Sequence, residues 1–142
     1  MNANEEQPKP IATNRAPVWP MVIAYVERNY ADDGADTVSK LVADMHERDE
    51  LGLKRYSVKL TAHNGRDHMI DAYQELLDFV VYTRAWLDEH GIDVLAPGMP
   101  TKASDPDNIK LEDLTLNPRE RTMMNLFCAA TEALLQLRGM LS

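Results

Sequence analysis

The sequence contains a single cysteine, Cys128, so the chain has no disulfide framework. This cysteine lies in an apolar helical run, where the expected role is that of a small buried thiol. No apolar run is long enough to cross a membrane, and the polar start MNANEEQPKP lacks the basic and apolar regions of a signal peptide. We therefore expect a cytoplasmic protein with no membrane partner.

Positive charge is also scarce, since 15 Lys and Arg stand against 23 Asp and Glu and leave a net charge of −8. An acidic protein repels the phosphates of nucleic acids and of anionic membranes, so the composition argues against a nucleic-acid partner. The sequence has no Gly-rich phosphate loop, no CxxC pair, no internal repeat and no strand-like alternation. These absences exclude the common phosphate-loop and dithiol sites and favour an all-α fold.

The organisation of the chain predicts a four-helix-type bundle. Residues 1–16 are rich in Pro, Asn and Glu and predict a flexible or loosely docked N-terminal arm, and residues 17–142 predict one all-α domain. The first helix has Pro20 in its first turn and ends at the ADDGAD stretch. Asp36 is the expected cap of a second helix, which runs to about Arg55 or stops earlier at Gly52.

The second half of the domain contains two further helices. Asn64 is the expected cap of a long third helix, and Gly91 is its expected C-terminal stop. Residues 92–116 contain three prolines among Gly, Ser, Asp and Asn, and they predict a long loop. Residues 117–142 predict a C-terminal helix that opens with a capping-box pattern, NPRE.

The C-terminal helix carries an apolar stripe that is wider than one small core requires. Such a stripe predicts a core contact together with a contact between subunits, so we expect a homo-oligomer. The stripe consists of Met123, Met124, Leu126, Phe127, Leu134, Leu135 and Leu137.

The third helix carries carboxylates in one narrow sector. At about 100° per residue, apolar side chains of residues 64–89 cover nearly all the other directions. A helix that is apolar on most sides is buried, and carboxylates on its remaining sector are costly unless a cation neutralises them. The pattern therefore predicts a metal site that includes Asp67, Asp71, Glu75 and Asp78.

The same stripe also fits the solvated face of an amphipathic helix. Solvated faces usually alternate acids with Lys or Arg at i,i+4, whereas successive acids here stand at that spacing and destabilise an isolated helix. This difference favours the metal interpretation, and the solvated face stays open as the alternative.

Glu75 and Asp78 form an ExxD pair, which places two carboxylates at adjacent points of one helix face. Mg²⁺ prefers oxygen ligands and combines a few carboxylates with substrate phosphates and water. The second helix offers a further pair, Asp44 and Glu47, of which Asp44 borders the apolar seam. We therefore expect an acidic metal cleft between helices two and three that binds Mg²⁺, or Mn²⁺ in its place.

These acidic pairs and the segment YQELLDFVVY resemble the motifs of the MazG-like all-α nucleoside triphosphate pyrophosphohydrolases, which carry an ExxE pair on one helix and an ExxD pair on the next. The resemblance covers about residues 36–90, and Asp44 stands where that family has its first Glu. It implies Mg²⁺-dependent cleavage of an NTP or dNTP between the α- and β-phosphates, which gives a monophosphate and pyrophosphate.

Asp71 and Glu75 are the expected catalytic residues. Asp71 lies one turn before Glu75, where a carboxylate can orient or deprotonate the attacking water. Arg66 and the N–H groups at the start of helix three predict an anion site for the substrate phosphates, with Lys59 close in sequence. Balancing the acidic charge of the protein is the other role open to Lys59.

Two further residues complete the expected substrate site. Arg48 either pairs with Asp44 or reaches a phosphate. Tyr82 lies in line with the acidic stripe, where its ring can stack on a nucleotide base, although a core or interface role is the alternative.

The first acidic motif has Asp44 where the family has a Glu, and this difference favours a function of another class. This alternative is a non-catalytic helical binding or regulatory protein of the same fold, which acts through a protein partner.

Overall fold

The computed structural model describes residues 3–102 and 115–141. Over these ranges the chain forms four α-helices and a two-stranded antiparallel sheet, which confirms a mostly helical fold. The elements are α1 (Val18–Asn29), α2 (Ala35–Tyr56), α3 (His68–Glu89), β1 (Ile92–Ala96), β2 (Met99–Lys102) and α4 (Pro118–Met140). None of the helices in the described residues is long and apolar enough to cross a membrane.

The chain divides into two compact units. The first comprises Met1–Glu5 and His68–Ser142, and the second comprises Glu6–Asp67. In the first unit α3 packs against α4 and β1, and in the second unit α1 packs against α2. Helices α2 and α3, which were expected to share an acidic cleft, therefore belong to different units.

The core of the first unit lies between α3, β1 and α4. Leu87 is fully buried, and it packs with Ile92, Leu116 and Met124. A smaller cluster joins the start of α3 to the end of α4 through Ile70 and Leu141, together with Ala3. Burial of these apolar side chains stabilises the α3–α4 pair and determines which side of α3 faces the interior.

A β-hairpin occupies the start of the segment that was expected to be a loop. In its register Ile92 pairs with Lys102 and Asp93 with Thr101, and Gly98 adopts a positive φ of 72° in the turn. The prediction of a loop is wrong for residues 92–102. The strands have only five and four residues, too short for a periodicity to show, and burial of Ile92 against α3 and α4 stabilises them. Residues 103–114 of the expected loop lie outside the described residues.

Three expected helix ends are confirmed. Pro20 lies in the first turn of α1. Gly91 follows α3 with a φ of +69°, and its N–H donates to the carbonyl of Asp88 at 2.9 Å. Asn117 and Glu120 form a capping box at the start of α4, in which each side chain accepts from the other residue's backbone N–H at 2.9 Å.

Two expected caps are wrong. Asp36 does not cap α2; it lies in the first turn of a helix that begins after Gly34, and it pairs with Lys40 at 2.7 Å. The helix also continues through Gly52 to Tyr56. Asn64 does not cap α3, which begins at His68. Gly65 has a φ of +86°, which a right-handed helix cannot contain, so residues 63–66 form a turn before α3.

The N-terminal arm contacts the turn before α3 and the connection that precedes it. The backbone N–H of Ile11 donates to the carbonyl of Asn64 at 2.8 Å, and the hydroxyl of Thr13 donates to Thr61 at 2.7 Å. In the first unit, the side-chain amide of Gln74 donates to the carbonyl of Ala3 at 2.9 Å. These contacts hold the arm through hydrogen bonds of its backbone and of the small polar side chain of Thr13.

Candidate functional site

The acidic pair on α3 lies on its outer face. Glu75 and Asp78 are exposed, and both point away from the buried Leu87. Two aromatic rings share this face, since Phe79 is 38% exposed and Tyr82 is 70% exposed. The result is an accessible surface, called the α3 face below, that consists of Glu75, Asp78, Phe79 and Tyr82. It can receive a ligand from solvent without movement of the core.

The other two carboxylates of the stripe have a different environment. Asp71 lies one turn before Glu75, and its side chain is only 25% exposed, with Nδ1 of His68 at 3.8 Å from its carboxylate. Asp67 is half-buried, and its backbone N–H donates to the side-chain oxygen of Gln7 at 3.0 Å. The stripe is thus half solvated and half packed against other groups.

The acidic pair on α2 is exposed as well. Asp44 and Glu47 both lie on the outer side of α2, whereas Val42 and Met45 are half-buried on the side that packs in its own unit. The expectation that Asp44 borders the packed seam is wrong, because the seam continues from Met45 to Asp49, one turn further along the same face. Asp49 is the acid of α2 that packs inward.

The expected substrate-binding residues have distinct surroundings. Nζ of Lys59 pairs with the Asp49 carboxylate at 2.9 Å, which makes it a charge-balancing partner in the second unit. Arg48 is exposed on α2. Arg66 is half-buried, and its guanidinium donates to the carbonyl of Pro8 at 2.8 Å. The side chain of Tyr82, the expected contact for a nucleotide base, is 70% exposed.

The ligands expected for a metal are not gathered into one group. Within residues 3–102 and 115–141, no three His, Cys, Asp or Glu side chains form a cluster that could hold a metal ion. The described residues therefore do not form a metal site with three or more protein ligands. A cation that arrives with the phosphates of a nucleotide needs only one or two protein carboxylates, and Glu75 with Asp78 fits that requirement.

Other features of the structure were not singled out from the sequence. Trp86 stacks on His90 with ring centroids 3.6 Å apart, beside a cavity of about 320 Å³. Arg119, Thr122 and Met123 at the start of α4 line this cavity together with Trp86 and Pro118. The i,i+4 spacing of Trp86 and His90 was the signal for the stack, whereas the cavity requires the packing of α4 on α3.

No protein-family model, curated protein or solved structure matches the chain. The family resemblance therefore rests on the residues of its two acidic motifs.

Proposed function

We propose that the protein is a cytoplasmic, homo-oligomeric, Mg²⁺-dependent nucleoside triphosphate pyrophosphohydrolase, which converts an NTP or dNTP to its monophosphate and pyrophosphate. The observation that carries this proposal is the accessible ExxD pair of α3, Glu75 and Asp78, with the exposed Tyr82 on the same face. The sequence around the pair, YQELLDFVVY, resembles the second acidic motif of the MazG-like family.

The residues of the α3 face have the chemistry that this reaction needs. Glu75 and Asp78 would hold Mg²⁺ or Mn²⁺ together with the nucleotide phosphates; the cation would neutralise phosphate charge and lower the pKa of a bound water. Asp71, one turn earlier, would orient or deprotonate the attacking water. Tyr82 offers an accessible ring for the base.

The proposal also assigns a role to the α2 pair. Asp44 and Glu47 are exposed carboxylates with the spacing of the first acidic motif, so they are further candidates for cation ligands on α2.

The proposal predicts pyrophosphate release from at least one member of a panel of NTPs and dNTPs in the presence of Mg²⁺ or Mn²⁺. Glu75→Gln and Asp78→Asn each remove a ligand charge with little change of shape, so each is expected to lower turnover by at least about 100-fold. Pyrophosphate release, measured on the same panel, tests both variants.

The matched control is Asp88→Asn, because Asp88 lies on the same helix with its side chain 81% exposed and outside the acidic stripe. It is expected to keep the turnover of the parent, and all three variants are expected to keep the helical circular dichroism. Activity within a few-fold of the parent in Glu75→Gln or Asp78→Asn would remove this pair from the catalytic machinery.

A second function, non-catalytic binding of a protein partner, is favoured by a different observation. The second unit exposes large apolar side chains on both helices, with Met21 at 55%, Tyr25 at 51%, Leu41 at 43% and Leu51 at 49%. Exposed apolar surface of this kind is typical of interaction sites. This function is preferred if no nucleotide of the panel releases pyrophosphate with either cation.

A further inference from the structure

Asn64 and Gly65 form the one Asn-Gly pair of the sequence, and they lie in the turn of residues 63–66 of the second unit. In such a pair the glycine nitrogen can attack the side-chain carbonyl carbon of the asparagine, because glycine has no Cβ to shield the nitrogen. The attack closes a cyclic imide and expels ammonia. The surroundings of the two residues determine whether this reaction proceeds in the folded chain.

The hydrogen bonding of the Asn64 carbonyl group favours the attack. The side chain is fully buried, and its Oδ1 accepts from the backbone N–H of Arg66 at 3.2 Å. This bond folds the carboxamide back along the main chain, beside the intervening peptide group of Gly65. An N–H aimed at an oxygen that gains negative charge also stabilises the tetrahedral intermediate, as the donors of an oxyanion hole do.

The leaving group of Asn64 is not held by the turn. Its Nδ2 is buried without a hydrogen-bond partner among the described residues. A buried donor without an acceptor is costly, so departure of this nitrogen as ammonia breaks no hydrogen bond and removes an unfavourable group. Asn29 differs in this respect, because its Nδ2 donates to the carbonyl of Tyr25 at 2.8 Å.

The nucleophile is accessible from solvent. Gly65 is exposed, and its backbone N–H donates to no group in the part of the chain that the structure describes. Its φ of +86° is a conformation that glycine adopts without strain. Hydroxide can therefore reach this N–H while the carboxamide of Asn64 stays covered.

We propose that Asn64 is a modification site, at which the folded chain loses its side-chain amide by spontaneous deamidation. The Gly65 nitrogen gives its proton to hydroxide and forms a bond to Cγ of Asn64. The bond from Cγ to Nδ2 breaks, and Nδ2 takes a proton from water and leaves as ammonia. Water then opens the imide to aspartate or isoaspartate. The sum is one water consumed and one ammonia released, so the reaction needs no metal, nucleotide or enzyme.

Both products disturb the attachment of the N-terminal arm. Aspartate places a carboxylate where a neutral amide is fully buried, which is unfavourable without a compensating cation. Isoaspartate directs the main chain through the side chain, so the carbonyl of Asn64 that accepts from the Ile11 N–H at 2.8 Å becomes part of a free carboxylate. The modification is therefore expected to loosen the arm from the turn.

The test is incubation of the full chain at mildly alkaline pH, followed by brief trypsin digestion and mass spectrometry. Trypsin releases residues 60–66 as LTAHNGR, in which the acid and the amide differ in mass. Conversion at Asn64 is expected to be at least about tenfold faster than at Asn29 or Asn125, because only Asn64 has its nucleophile adjacent and unshielded. The rate is expected to rise with pH, since the Gly65 nitrogen must lose its proton.

Two measurements establish whether the folded chain itself reacts. The synthetic peptide LTAHNGR gives the rate without the fold, and a urea series below the unfolding transition varies the unfolded fraction. Reaction in folded molecules is independent of urea over this range, whereas reaction through unfolding increases with urea. Retention of the amide at Asn64 while the peptide converts would overturn the proposal, and so would a rate that follows the unfolded fraction.

The effect of the modification is tested with Asn64→Asp, which introduces the product carboxylate directly. Its melting temperature is expected to be lower than that of the parent by at least about 3 °C, because the charge is buried. Asn14→Asp, the same change at an exposed position of the arm, is the control and is expected to melt as the parent does. Equal melting temperatures of the two variants would contradict a destabilising product.

Discussion

At the scale of single residues, the acidic stripe of α3 has two environments and not one. Glu75 and Asp78 are exposed, and in water a like-charged pair at this spacing costs a helix only about 0.2–0.5 kcal/mol. That cost is small beside the burial of the opposite side of α3, so the helix is stable without a bound cation. The exposed pair is consequently available to a ligand, and its charge is not required for folding.

The fully buried Leu87 is the residue whose loss is expected to destabilise the first unit most clearly. Leu87→Ala removes apolar contacts with Ile92 and Met124 and leaves a cavity, so it is expected to cost about 2–5 kcal/mol. Urea denaturation followed by circular dichroism measures this change.

Leu95→Ala is the matched control, since Leu95 is 59% exposed on β1. It is expected to change the free energy of unfolding by less than about 0.5 kcal/mol. Equal destabilisation by the two variants would contradict the assignment of Leu87 to the core.

At the scale of elements, α4 and α2 begin in different ways. Asn117 and Glu120 cap α4 through side chains, and Pro118 preorganises its first turn, so this end is stable by local interactions. Helix α2 begins after Gly34 with no side-chain cap, and Asp36 contributes only charge near its first turn. The start of α2 therefore depends more on packing against α1.

Asn117→Ala is expected to destabilise the protein by about 1 kcal/mol, because it leaves the N–H of Glu120 without its acceptor. For a chain of this size the melting temperature is expected to fall by about 3–5 °C. Thermal melting followed by circular dichroism measures the shift.

The control for the cap is Asn125→Ala, an exposed position inside the same helix. Alanine has a higher helix propensity than asparagine. This variant is therefore expected to be as stable as the parent, or more stable by roughly a few tenths of a kcal/mol. A melting temperature for Asn117→Ala that equals that of the control would show that the capping box contributes nothing.

At the scale of the whole molecule, both units expose large apolar side chains. The α4 stripe is divided, since Met124 is buried against α3 while Leu126 is 40% exposed and Leu135 is 74% exposed. On the α3 face and beside it, Tyr82 and Val81 are exposed by 70% and 63%. Apolar surface of this extent favours association between copies of the chain.

The protein is expected to be at least a dimer, with a mass by light scattering of twice 16.1 kDa or more at micromolar concentration. Leu135→Glu is expected to lower this mass by placing a charge in the apolar contact of α4. Gln136→Glu adds the same charge at the neighbouring exposed position and is expected to leave the mass unchanged. A strictly monomeric mass for the parent at high micromolar concentration would refute the association.

Local sequence determined most of the helices and three of their ends. The capping box at Asn117 and the glycine stop at Gly91 act within a few residues, and the apolar periodicity of α3 and α4 needs no distant partner. Glu75 and Asp78 could also be identified as a pair from their spacing, although their exposure could not. Interactions of this range are visible in a sequence because each is complete within one or two helical turns.

Only the tertiary structure decided which faces are buried and where the remaining elements lie. The hairpin of β1 and β2 depends on burial of Ile92 against α3 and α4, and the turn at Asn64 depends on the arm that donates to it. Burial of Asp49 instead of Asp44 follows from the rotation of α2 about its axis, which packing within its unit sets. The helical period determines the angle between Asp44 and Asp49 but not which of the two faces inward, because the free energy that selects the rotation comes from contacts distant in sequence.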